Sequence, residues 1–130
     1  MLSFYHGTMG TGKTTRLIEE VNRIKKNKLG RVIILKPEID TKGGRNLITR
    51  DQIILRVFDT IKKEENLYES YSSLLGIVDY ICIDEAQFLS RSQVEQLKDL
   101  SFGMDILTFG LRLNAFNEDS GFEGATRLLQ

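Results

Sequence analysis

The sequence predicts an α/β fold: a mainly parallel sheet with helices on both faces. Three observations predict it. A glycine-rich stretch, Gly7-Thr8-Met9-Gly10-Thr11-Gly12-Lys13-Thr14, joins a short apolar start (Leu2, Phe4, Tyr5) to an amphipathic run from Thr15. Two apolar, β-branched runs follow, Arg31–Lys36 and Val78–Ile83, each too short for a helix of ordinary length. Between these runs the apolar period changes to that of a helix, and strands that alternate with helices make a parallel sheet covered on both faces.

The elements follow in order. Leu2–His6 is the first strand. Lys13 to about Lys28 is a helix, because Leu17, Val21 and Ile24 recur at helical spacing. Lys25, Lys26 and Lys28 suit its C-terminal end, where the helix dipole is negative, and Gly30 is placed to end it. Arg31–Lys36 is the second strand, stopped by Pro37, the only proline. Glu38 to Arg45 is polar and glycine-containing and reads as a loop. Asn46–Thr49 reads as a short strand. Asp51 to Asp59 fits either strand or helix, and Thr60 to Leu75 predicts a helix. Val78–Ile83 is a buried strand that ends in acids. Ser90-Arg91-Ser92-Gln93 starts a helix, with a capping box from Ser90 and Gln93 or from Ser92 and Glu95. Val94, Leu97 and Leu100 form its apolar face. Asp105–Gly110 is the last strand, and a further helix is expected from Gly121.

Composition narrows the function classes. At 130 residues, 41% of them hydrophobic, the chain supports one domain with one core. Its 18 basic and 18 acidic residues cancel, so no global basic field points to nucleic acid. Any phosphate affinity has to come from local groups. The single cysteine, Cys82, excludes an internal disulfide or a cysteine-based zinc cluster within this chain, and its apolar neighbours make it a core residue. The N-terminus runs directly into a strand, with no visible signal peptide, and no apolar run approaches the length of a membrane span. The chain therefore reads as soluble and cytoplasmic.

The glycine-rich stretch fits G-x-x-x-x-G-K-[ST], and its place between a strand and a helix makes the fold P-loop NTPase-like. Glycines let successive backbone N–H groups turn inward on an anion, and the helix N-terminus adds positive dipole in the same direction. Gly7, Thr8, Met9, Gly10, Thr11, Gly12, Lys13, Thr14 and Thr15 are accordingly the candidate ATP-binding residues. Lys13 is suited to the terminal phosphates and the Thr14 hydroxyl to Mg²⁺. Asp84-Glu85 closes the third apolar run, and ligands gather at the carboxyl ends of strands in open α/β sheets. Asp84 is thus the second candidate Mg²⁺ ligand, consistent with a cation that takes one or two protein carboxylates. Glu85 is placed to accept a proton from whatever attacks the γ-phosphate. These residues alone leave open whether that nucleophile is water or a substrate hydroxyl.

A resemblance bears on the choice. Asp84-Glu85-Ala86-Gln87-Phe88 is similar to the Asp-Glu-(Ala/Gly)-Gln-Phe signature of the cytosolic-type (type II, zinc-containing) thymidine kinases. Met9 within the P-loop, Lys36-Pro37 followed by Asp40, and Gly110-Leu111-Arg112 with Phe116 and Phe122-Glu123-Gly124 resemble further segments of that family, in the same order. The resemblance implies transfer of the ATP γ-phosphate to the 5′-hydroxyl of thymidine. Glu85 would be the general base and Lys13 would stabilise the transferred group. Met9, Phe88, Leu111, Phe116 and Phe122 fall where the family lines its nucleoside pocket; core packing is the competing reading for Leu111 and Phe122. The resemblance also implies a homotetramer.

Departures from the pattern are specific. The family continues into a cysteine-ligated zinc site and a lasso loop over the base, whereas this sequence ends at Leu128-Leu129-Gln130. It reads as the kinase core, residues 1–130, with the lid absent. Lys42 stands at a position usually held by Arg, keeping the charge without the bidentate fork. Thr49-Arg50 replaces a Ser-His pair, leaving Arg45 or Arg50 as the candidate substitute for a phosphate contact. The alternative to a thymidine kinase is therefore a lid-less P-loop ATP-binding protein or NTPase with lost or altered nucleoside specificity. A purely structural module would leave Lys13, Thr14, Asp84 and Glu85 unexplained.

Overall fold

The structure, a computed structural model, describes residues 1–7, 13–38, 46–48 and 54–111, with side chains described at all of these except 6, 7, 13–15, 46–48, 54, 55 and 111. The elements are β1 (Leu2–Gly7), α1 (Lys13–Lys26), β2 (Val32–Pro37), β3 (Asn46–Ile48), β4 (Ile54–Arg56), β5 (Asp59–Ile61), α2 (Leu67–Tyr71), β6 (Tyr80–Ile83), α3 (Arg91–Leu100) and β7 (Asp105–Leu111). Five of the strands form one sheet in the order β1-β7-β6-β2-β5, and every pairing in it is parallel. β3 and β4 form a separate antiparallel pair.

Alternation along the strands builds two cores. Tyr5, Val32, Ile34, Tyr80, Cys82, Leu107 and Phe109 meet Leu17, Ile18, Val21 and Ile24 of α1 on one face. Leu2, Phe4, Leu35, Ile81, Ile83 and Ile106 meet Leu67 and Tyr71 of α2 and Val94, Leu97 and Leu100 of α3 on the other. The chain crosses the sheet from β1 to β2 with α1 on one face. It returns through β6 and β7 with α2 and α3 on the opposite face. Opposite directions on opposite faces are what a constant right-handed crossover requires.

Several of the sequence boundaries need correction. Thr60 to Leu75 is not one helix. Asp59–Ile61 pairs with Leu35–Pro37 as the edge strand β5, and only Leu67–Tyr71 is α-helical, followed by a 3₁₀ turn at Ser72–Leu74. The β-branched pair Thr60-Ile61 completes a ladder there, while the Asn66 side chain caps α2 by accepting from the Glu69 N–H at 3.0 Å. The buried strand begins at Tyr80 rather than Val78. Helix α1 ends at Lys26, and Lys28 rather than Gly30 takes the left-handed conformation (φ 53°), with the Leu29 N–H donating to Ile24 O at 3.0 Å. The second strand includes Pro37 as its last residue. Of the two capping boxes, the structure forms the one between Ser90 and Gln93. The expected loop at 39–45 and helix from Gly121 lie outside the described residues.

Gln93 also fixes the connection that replaces the expected long helix. Its Nε2 donates to Lys62 O at 3.1 Å and Glu65 O at 3.2 Å, while Gln96 Oε1 accepts from the Leu67 N–H at 2.7 Å. Helix α3 thus holds the segment from β5 to α2 by amide groups that no hydrophobic period reveals.

Cys82 is wholly buried under α1, and burial, aided by the negative charge of Glu20, pushes its thiol up from 9.0 to about 12. The unfolded thiol therefore ionises at a lower pH than the folded one. Unfolding free energy should fall as pH rises from 9 toward 12, and Cys82→Ala should flatten that slope, as read from urea unfolding at successive pH values. Part of the slope should persist in the variant, because burial raises the Tyr71 phenol in the same sense.

Candidate active site

All five strands of the sheet end at one edge, so whatever follows their carboxyl ends is brought together. β1 ends at Gly7, in register with Leu111 at the end of β7. Helix α1 begins at Lys13, on the same edge, and carries no acid in its first turn. The positive end of its dipole is thus left uncancelled by its own side chains. Its start is anchored from below: the Arg16 guanidinium lies 4.7 Å from the Tyr5 ring centroid, and Tyr5 stacks on Phe109 at 4.9 Å and 10°.

The acidic turn follows β6 at this edge. The Asp84 N–H donates to Leu35 O at 3.0 Å, which extends the β6–β2 ladder by one residue. Asp84 is 2% exposed and Lys36, at the end of β2, is 1% exposed. Ile83 pairs with Leu35, so Asp84 and Lys36 occupy neighbouring register positions one step further on. The sequence assigns no role to Lys36; a lysine ending an apolar run looks solvated, yet the structure buries it.

Glu85 departs from ordinary backbone geometry, at φ 53° and ψ 43°. A non-glycine residue in this left-handed region carries roughly 1–2 kcal/mol of strain. Such strain persists where the surroundings fix it, often at functional positions. A 3₁₀ turn, Ala86–Phe88, follows directly, closed by the Phe88 N–H donating to Glu85 O at 3.1 Å. Gln87 Nε2 donates to Glu85 Oε2. Gly110 of β7 lies against this turn. A Cβ there would come within 2.5 Å of Gln87 Oε1 and 3.0 Å of the Ala86 and Gln87 backbone nitrogens. Gln87 stands in the Asp84–Phe88 signature with no role of its own, and the close approach at Gly110 is not legible from residue pattern.

Phe88 leaves the turn half exposed and lines a pocket of about 430 Å³ together with Pro37, Glu38, Ile61, Lys62 and Gln93. An exposed aromatic ring beside an acidic turn suits a flat, partly apolar ligand. The structure thus brings Gly7, the start of α1, Asp84, Glu85, Phe88 and Leu111 to one edge of the sheet. Thr8, Met9, Gly10, Thr11, Gly12, Phe116 and Phe122 lie outside the described residues, as do the side chains of Lys13, Thr14, Thr15 and Leu111.

The parallel sheet, with the glycine-loop sequence between β1 and α1, defines a protein of the P-loop α/β class. Comparison with known proteins narrows this. The family model described as Thymidine kinase matches residues 1–130, and the chain belongs to the thymidine kinase family. It is 33% identical over 139 residues to a thymidine kinase of Rhodopirellula baltica, covering 98% of this chain and 61% of that protein. A thymidine kinase of Xanthomonas axonopodis pv. citri is 33% identical over 134 residues, covering 98% and 62%. One from Coxiella burnetii is 29% identical over 133 residues, covering 98% and 66%. The chain spans about three fifths of the length of the first two of these curated relatives.

Proposed function

We propose that this chain is the phosphate-transferring domain of a thymidine kinase, which moves the γ-phosphate of ATP to the 5′-hydroxyl of thymidine in nucleotide salvage for DNA synthesis. The observation that carries the reading is the strained acidic turn at Asp84-Glu85, on the sheet edge where β1 ends and α1 begins. In the reaction the 5′-oxygen bonds to the γ-phosphorus as the bond from that phosphorus to the β,γ-bridging oxygen breaks. ADP leaves with the electron pair, and the hydroxyl proton goes to the Glu85 carboxylate. Gly7 to Thr15 would hold the triphosphate through backbone N–H groups, and Lys13 would act on the transferred phosphoryl oxygens.

Asp84 is a hard oxygen donor with little exposure, the ligand type that Mg²⁺ takes sparingly from proteins. Asp84 and the Thr14 hydroxyl are the residues that would hold it. When bound, Mg²⁺ supplies charge neutralisation to the phosphate oxygens. Phe88, with Met9, Leu111, Phe116 and Phe122, would flank the nucleoside. The family resemblance further suggests a cytoplasmic homotetramer.

The test is ADP formation from ATP and Mg²⁺, with and without thymidine, by the protein from its complete reading frame. ADP should appear only with thymidine, matched one to one by thymidine monophosphate. Equal ADP release without any nucleoside would instead make the protein an NTPase.

A further inference from the structure

We propose that Gln87 is a positioning residue for Glu85: its side-chain amide donates to Oε2 and so sets the orientation in which the carboxylate meets the acceptor hydroxyl. This rests on the reading of Glu85 as the general base. Three features of the structure converge on it. Gln87 Nε2 donates to Glu85 Oε2, two residues apart across the turn. The Glu85 backbone is held in the left-handed region, and the 3₁₀ turn Ala86–Phe88 that begins after it sets where Gln87 points. On its far side the amide lies against Gly110, with Gln87 Oε1 only 2.5 Å from where a Cβ would be.

A glutamate has three side-chain torsions, and a free carboxylate at their end samples many positions. A general base must present one oxygen at hydrogen-bond distance from one hydroxyl. An amide backed by a rigid strand removes that freedom, and its donor group suits only an oxygen that is accepting. Glycine at position 110 is what lets the strand come close enough to back it. A solvated glutamine on a surface turn would need neither the glycine nor the contact.

The test combines kinetics and a spectroscopic readout. Gln87→Leu keeps the volume and removes the donor. It should lower kcat about tenfold to a hundredfold, the usual penalty for a misplaced catalytic group, with KM for thymidine and ATP within about twofold. In a Glu85→Gln background the same substitution should cost nothing further, because the two residues act as a unit. Equal losses in both backgrounds would make Gln87 merely structural and overturn the proposal. Full kcat in Gln87→Leu beside an inactive Glu85→Gln would sink the positioning role alone, whereas full activity in Glu85→Gln would sink the general-base reading itself. Independently of turnover, the Gln87 side-chain amide signals in a ¹H–¹⁵N spectrum should move toward ordinary amide positions on Glu85→Ala. Signals that stay in place would overturn the proposal.

Discussion

Glu85→Gln is expected to bind ATP normally and to transfer phosphate about 10²–10⁴-fold more slowly, the range that a positioned general base contributes. The substitution keeps the length and polarity of the side chain and removes the ability to accept a proton. Single-turnover formation of thymidine monophosphate reads the chemical step, and nucleotide titration reads binding. A loss of less than about fivefold would show that another group takes the proton, since general bases contribute at least about 10². Glu85→Gly sharpens the expectation. It should be equally inactive, yet more stable toward urea than Glu85→Ala by about 1 kcal/mol, because both variants lose the bond to Gln87 and only glycine accepts the left-handed backbone at φ 53° without the Cβ clash. A stability advantage of glycine over alanine at this position would identify Glu85 as a residue held in strain.

Phe109→Ala is expected to destabilise the fold by about 3–5 kcal/mol, the usual cost of emptying a buried phenylalanine site. Phe109 is wholly buried in β7, stacks on Tyr5 at 4.9 Å, and sits in the cluster that receives Leu17, Ile18 and Val21 of α1. At a urea slope of about 2 kcal/mol per molar, the midpoint should fall by roughly 1.5–2.5 M. The effect should also reach the site, because the Phe109–Tyr5–Arg16 stack supports the start of α1. ATP affinity should therefore weaken in Phe109→Ala more than in Leu100→Ala, which empties the core on the other face of the sheet. Equal effects on affinity would disconnect the stack from the nucleotide site.

Much of the fold was legible because local signals agreed with the tertiary outcome. Leu17, Val21 and Ile24 mark the buried face of α1 by spacing alone, and each is fully buried. Ser90 and Gln93 form the capping box that their spacing allows, with the Gln93 N–H donating to Ser90 Oγ at 3.1 Å. Thr60 to Leu75 failed for a physical reason. Asp59–Ile61 gains hydrogen bonds only by lying beside β2, a partner that no local window contains. Gln93 and Gln96, on a helix far along the chain, then add polar contacts to Lys62, Glu65 and Leu67.

The sequence by itself determined the chemistry available: a glycine loop that suits phosphate between a strand and a helix, and an acidic pair closing an apolar run. Those signals are local, because a P-loop needs consecutive residues and a strand end needs only its own polarity change. Only the tertiary structure decided how the parts meet. The parallel pairing of β6 with β2 buries Asp84 at the end of the ladder, and the close approach of β7 at Gly110 sets Gln87 against the Glu85 turn. Both outcomes depend on distances between strands that lie far apart in the chain, and the pattern of residues along any one strand does not encode them.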